Sequence, residues 1–161
     1  MVVNNFSEIE QEFIQRVHTI VWCNVATVDS QGRPRSRILH PIWEGAIGWI
    51  LTQRDSYKSK HLAANPHVSL AYIADITKPV YVDGTAQWVE DRQQKQRIWD
   101  LFKAAPQPLG YDPEPFFTNV DNADCGLLQI TPWRIAVVTF PAPSQDEGQR
   151  VWRRRAGLIE G

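Results

Sequence analysis

The sequence predicts a mainly β fold, a closed or split antiparallel barrel with helical decoration. Six or seven β-rich runs follow one another, most of them joined by tight turns, and only two or three segments carry helical periodicity. The regular strand–helix alternation that a doubly wound parallel sheet needs is missing. At 161 residues the expectation is one domain over 1–161, with a polar and then basic tail from about residue 141.

The elements follow in order. Phe6, Ile9, Phe13, Ile14 and Val17 recur at helical spacing. Ser7 and Glu10 have the form of a capping box, whose side chains satisfy free amides at a helix start, so a helix is expected over Ser7 to His18. Ile20 to Val28 is β-rich, and Asp29-Ser30-Gln31-Gly32 is a turn. Arg35 to Trp43 reads as a second strand, Glu44-Gly45 as a second turn and Gly48 to Thr52 as a third strand, together a meander of hairpins. Asp55 or Ser56 can cap a short helix that stops at Asn65-Pro66, because Pro66 disfavours helical backbone in the residue before it. His67 to Ile73 and Val80 to Val89 are strands, and Gly84 marks a bulge or a close backbone approach. Asp91 caps a helix that buries Ile98, Trp99, Leu101 and Phe102. Ala105 to Asn122 holds four Pro and one Gly and is an irregular connection with a short helical turn near Phe116. Leu127 to Ile130 and Trp133 to Phe140 are strands separated at Pro132.

Composition narrows the function. A net charge of −1 gives no global electrostatic case for nucleic acid. No apolar stretch approaches the ~18 residues of a membrane span. Met1-Val2-Val3-Asn4-Asn5 lacks the basic and apolar regions of a signal peptide. A cytoplasmic protein without membrane or nucleic-acid partners is expected. Cys23 and Cys125 lie among apolar residues without metal-ligand spacing and read as buried free thiols. His18, His40, His61 and His67 show no metal spacing either, and no metal site is expected. The seven Trp suit a subunit interface, a stacking surface or the core. No nucleophile stands beside an obvious base, so the catalytic residues are left unassigned.

The chemistry-bearing run is Gly32 to Leu70. Ser56 and Lys58 stand at a predicted helix N-terminus, where unpaired amides and the helix dipole favour an anion. Arg35 and Arg37 are two residues apart and share one strand face, and a guanidinium grips phosphate oxygens in a bidentate manner. Thr52 ends the preceding strand with a hydroxyl. Arg37, Thr52, Ser56 and Lys58 converge if the strands at 35–43 and 48–52 pair as a hairpin. The competing reading makes Arg35, Arg37 and Lys58 solvated surface charges, and spacing alone leaves both open.

This run resembles the flavin-binding segment of the pyridoxamine 5′-phosphate oxidase-like split-barrel family. The family's strand-start Arg falls on Arg37, its Tyr-Thr pair on Leu51-Thr52 and its Ser-Arg-Lys on Ser56-Tyr57-Lys58. Its Asn-Pro and following apolar strand fall on Asn65-Pro66 and Val68-Ser69-Leu70. Val80-Tyr81-Val82-Asp83-Gly84-Thr85-Ala86 looks like the next strand of the family. The resemblance implies a split antiparallel β-barrel with peripheral helices, assembled as a homodimer with FMN in a groove between subunits. Arg37, Ser56 and Lys58 would take the phosphate, and Tyr57, between the last two, counts among the cofactor-binding residues. The strand Ile38 to Ile42, with Leu39 and His40, and the pair Leu51-Thr52 would run beside the isoalloxazine and offer backbone groups. Trp133 and Arg134, following Pro132, match a late Trp and Arg that a partner subunit supplies in the family.

The departures from the family pattern bear on substrate. The oxidase's substrate-binding Lys is replaced by Ile42, its late Arg-Leu-His appears as Arg134-Ile135-Ala136, and its flavin-contacting Gln falls on Pro79. The expectation is an FMN-dependent oxidoreductase, related to pyridoxamine 5′-phosphate oxidase, that does not act on pyridoxamine phosphate. The alternatives are a deazaflavin-dependent reductase, a non-catalytic flavin-binding stress protein and a heme-binding split barrel, the last disfavoured because no His holds a special position. Two further segments invite a role. Arg153-Arg154-Arg155 is a solvated tail or reaches a partner's cofactor phosphate, and Tyr111-Asp112-Pro113 is a pocket lid or a packed loop.

Overall fold

The structure, a computed structural model, describes residues 1–155. The chain runs β1 (Val2–Val3), a 3-10 turn (Phe6–Glu8), α1 (Glu10–Ile20), β2 (Cys23–Val28), β3 (Pro34–Leu39), β4 (Ile42–Glu44) and β5 (Ile47–Gln53). It continues through α2 (Tyr57–Ala64), β6 (His67–Tyr72), β7 (Val80–Val89), α3 (Arg92–Ala104), α4 (Glu114–Phe117), β8 (Cys125–Val138) and β9 (Gln149–Arg153).

The strands of the described residues join in the order β1-β9-β8-β7-β6-β2-β3, with β5 on β8 and β4 on β5. Every pairing is antiparallel except the short β1–β9 contact. β8 is where the barrel splits. One of its edges pairs with β7 along the whole ladder. The other pairs with β5 over Cys125–Ile130 and with β9 over Arg134–Val138.

Pro132 therefore does not separate two strands, as the sequence suggested. It falls between the two partners of that edge, where no ladder bond is owed by its missing N–H. It also lies opposite Gly84, where the β7 register shifts. A Cβ on Gly84 would stand 2.7 Å from the Thr131 carbonyl oxygen, so the close approach expected there is present.

The hairpin expected between 35–43 and 48–52 is corrected. β3 pairs with β2 over its whole length, from Cys23↔Leu39 to Val28↔Pro34. Only β4 pairs with β5. Two local features explain it. The Asp29 carboxylate accepts from the amides of Gln31 and Arg33 at 2.9 Å, and Gly32 takes φ +76°, which closes a tight β2–β3 turn. Pro41 then breaks the run, ending β3 at Leu39.

The first helix also starts differently. The Glu8 carboxylate accepts from the amides of Asn4 (3.0 Å) and Asn5 (2.8 Å), so the box sits at Asn5/Glu8 and not at Ser7/Glu10. The Asp91 cap of α3 is as expected, its side chain accepting from the Gln94 amide at 2.7 Å. Ile98, Trp99 and Phe102 are buried on α3, whereas Leu101 is only partly so. The tail from Pro141 is not simply solvated. β9 adds to β8 and buries Trp152 in the core, while Arg154 donates to the Pro132 carbonyl (3.0 Å).

Two apolar clusters result. One fills the barrel around Phe13, Val25, Ile50, Leu70, Val82 and Ile135. The other lies under α3 around Ile42, Trp49, Leu51, Ile98, Phe102 and Leu127. Trp43, Trp49, Trp99 and Trp152 are buried, whereas Trp22 and Trp133 are exposed, so the core takes most of the tryptophans. Both cysteines are free and buried. No helix among the described residues is long and apolar enough to cross a membrane.

Candidate anion site

The site is built on the barrel face of the β2–β3 hairpin. The register Val25↔Arg37 and Thr27↔Arg35 puts both arginines on the face that carries Val25 and Thr27. α2 packs over β2 on that side. Arg37 Nη1 donates to Thr27 Oγ1 (2.8 Å) and to the Val25 carbonyl (3.1 Å). Thr27 Oγ1 also lies 2.8 Å from His61 Nδ1 of α2. Thr27 and His61 are both buried.

Lys58 comes from the first turn of the same helix and is only 9% exposed. Its Nζ donates to Ser56 Oγ at 3.0 Å. Ser56 is the N-cap residue of α2, but its hydroxyl donates to the Gln53 carbonyl (3.3 Å), leaving the first turn without a side-chain cap. Burial first, and the charge of Arg37 second, press the Lys58 ammonium below its usual range, while Asp124 opposes them. Burial and then the charge of Arg35 lower Arg37 likewise. Among the described residues neither Arg37 nor Lys58 has a carboxylate within 4.0 Å. Two cations, Lys58 buried and Arg37 partly so, thus sit within each other's field at an uncapped helix start, with no carboxylate in ion-pair contact among the described residues.

Other predicted residues occupy varied places. Thr52 is buried at the end of β5, in alternation with Ile50 of the barrel cluster. Leu51 is buried in the second cluster and Leu39 packs on the first, so each offers only backbone. Ile38 points away from the barrel and is 60% exposed. Tyr57 is exposed, with Lys60 Nζ 5.4 Å from its ring centre. The His40 imidazole is engaged elsewhere. Its Nε2 donates to the Leu109 carbonyl (2.7 Å), and its ring packs with Trp22, Tyr111 and Phe102. Tyr111 is thereby held in a packed loop, with Asp112 3.5 Å from Lys103.

Among the described residues no hydrogen bond or ion pair joins Trp133 or Arg134 to Arg37 or Lys58. The rung Ser36↔Ala26↔Ser69↔Asp83↔Arg134 puts four ladder steps between the strand of Arg37 and the strand of Arg134. Arg134 pairs there with Asp83 at 2.9 Å, and Trp133 is 45% exposed.

Sequence reasoning missed Thr27 and His61. Signals existed for both. Thr27 is a hydroxyl at an inward position of the alternating strand Cys23–Val28, and His61 follows Lys58 by three residues on one helix face.

Residues 9–137 match the sequence model of the family described as pyridoxamine 5′-phosphate oxidase. The chain belongs to this family. A pyridoxine/pyridoxamine 5′-phosphate oxidase of Bacteroides thetaiotaomicron is 29% identical over 97 residues. That match covers 53% of this chain and 45% of the relative, so the chain spans about half the length of the curated relative. A Clostridium acetobutylicum protein related to general stress protein 26 superposes with a TM-score of 0.71 at 16% identity, over 93% of this chain and 96% of that one. A pyridoxamine 5′-phosphate oxidase-related, FMN-binding protein of Nostoc punctiforme gives 0.65 at 15% identity, over 96% and 93%. The structural likenesses establish the split-barrel fold. Where this family member departs from the oxidase pattern, it offers no polar group in exchange. Ile42 is buried under α3 and Ala136 is fully buried in the sheet.

Proposed function

We propose that this chain binds FMN and acts as an oxidoreductase on a substrate other than pyridoxamine phosphate. The observation that carries the reading is the unpaired cation couple of Arg37 and Lys58. A buried like-charge pair is unfavourable unless an anion joins it, and a phosphate monoester beside Ser56 and the α2 amides supplies that anion. Bound FMN contributes the redox chemistry, and the chain contributes binding, orientation and exclusion of water. Ile42 and Ala136 stand where the oxidase pattern has a substrate-binding Lys and a His, so the groups that would hold a second phosphate ester are gone.

The chain acts as a homodimer in this reading. The exposed Ile38 and Trp133, and the four ladder steps between the Arg37 strand and the Arg134 strand, support a site completed by a second copy. A second reading is a flavin binder without turnover, favoured by the same loss of polar groups on the substrate side.

The test is the absorption spectrum of the purified protein, taken again after incubation with FMN and desalting. A retained flavin band that NAD(P)H bleaches supports the enzyme, and a flavin inert to reductants supports the binder. A deazaflavin or heme carried instead would overturn the FMN assignment. Arg37→Ala with Lys58→Ala is expected to weaken FMN binding at least tenfold, since a charge-assisted contact contributes about 1.5–3 kcal/mol and about 1.4 kcal/mol is a decade in affinity. Unchanged affinity would remove both residues from the site.

A further inference from the structure

We propose that Thr27 and His61 are positioning residues that hold the Arg37 guanidinium with one edge open for the cofactor phosphate. The inference rests on the FMN reading above.

A threonine hydroxyl has one hydrogen and two lone pairs, and a guanidinium only donates. The 2.8 Å contact from Arg37 Nη1 therefore uses Thr27 Oγ1 as acceptor. The hydroxyl hydrogen needs an acceptor of its own, because Thr27 is 2% exposed and water does not serve it. His61 Nδ1, at 2.8 Å, is that acceptor. This assigns the lone pair to Nδ1 and the imidazole proton to Nε2. The chain of bonds then has one direction: Arg37 donates to Thr27, and Thr27 donates to His61.

The consequence lies at the other end of Arg37. Nη1 is fixed by Thr27 Oγ1 and by the Val25 carbonyl. Among the described residues no bond engages Nε or Nη2. Those two nitrogens form the edge that meets two oxygens of a phosphate in parallel. Thr27 thus anchors one side of the guanidinium and leaves the bidentate side free. A neutral His61 does this without adding a third positive charge to the couple.

The experiment uses the full chain and measures dissociation constants for FMN and for riboflavin, which lacks the phosphate, by quenching of flavin fluorescence. The 31P shift of bound FMN is recorded alongside. Thr27→Val is expected to weaken FMN about tenfold with riboflavin unchanged, and to move the bound 31P signal. Thr27→Ser keeps the hydroxyl and should behave as the parent. His61→Leu should weaken FMN in the same selective way, and His61→Asn, whose Oδ1 can take the place of Nδ1, should restore it. The His61 pair decides the matter if Thr27→Val fails to fold. Equal losses for FMN and riboflavin, or full FMN affinity in Thr27→Val, would overturn the positioning role. If Arg37→Ala weakens FMN while Thr27→Val and His61→Leu do not, only this inference falls. If Arg37→Ala also has no effect, the phosphate reading falls with it.

Discussion

The indole of Trp88 occupies the space above Gly126. A Cβ on Gly126 would stand 2.5 Å from Trp88 Cζ3 and 2.9 Å from the Thr52 carbonyl oxygen. The outer face of the same indole carries the Arg54 guanidinium, 4.5 Å from the ring centre. Gly126 pairs with Thr52 in the β5–β8 ladder, so the contact sets the end of the strand that leads into Ser56 and α2. Gly126→Ala is expected to destabilise the fold by about 1–3 kcal/mol through overpacking, read as a lowered urea midpoint. An unchanged midpoint would mean that Trp88 moves aside freely.

How far the sequence led, and where it failed, is clear from particular residues. The Asp91 cap, the Asp29–Gly32 turn and the start of α2 at Ser56 are local, and each was legible. Arg37 and Lys58 were legible as neighbouring cations, the feature on which the proposed anion site rests. The route between them was not, since β3 pairs back onto β2, and periodicity does not choose a strand's partner. Pro41 was the available warning against a single strand from Arg35 to Trp43. Thr27 and His61 meet only through the packing of α2 on β2, 34 residues apart. β9 was missed because Gln149–Arg153 carries only Val151 and Trp152 as apolar residues, and its strand state depends on the free edge of β8.

Arg16 fastens α1 to the far end of the barrel. It is 9% exposed, and its guanidinium donates to the Val138 carbonyl, to Thr139 Oγ1 and to Glu12, which also pairs with Arg150. Burial lowers its pKa, with Asp75 opposing. Arg16→Met keeps much of the buried stem and removes every donor. The expected loss is about 2 kcal/mol, the scale of hydrogen bonds to a charged group. For a chain of this length that is a fall of roughly 4–8 °C in Tm. Glu12→Gln should cost less, because Thr139 and Val138 remain for Arg16. Equal stability of Arg16→Met and the parent would show that the network contributes no net free energy.

His18 makes stability depend on pH in a defined direction. Its Nε2 accepts the Trp43 amide at 3.0 Å, so the bond requires a lone pair on that nitrogen. Burial lowers its pKa below the ordinary 6.5. Burial also lowers His40, with the Leu109 carbonyl opposing. The unfolded chain therefore takes up protons at a higher pH than the native one. Stability from these groups is complete above about 6.5 and is lost as pH falls through their lowered native values. The carboxylates held low, Asp29 at about 2 and Glu44 by Arg97, withdraw their share at lower pH. Tm is thus expected to fall between pH 7 and pH 5.5. His18→Leu should lower Tm at pH 7, because the Trp43 amide loses its acceptor, and should flatten the decline below it. A Tm that stays level or rises from pH 7 to pH 5.5 in the parent protein would show that neither imidazole is held neutral by the fold.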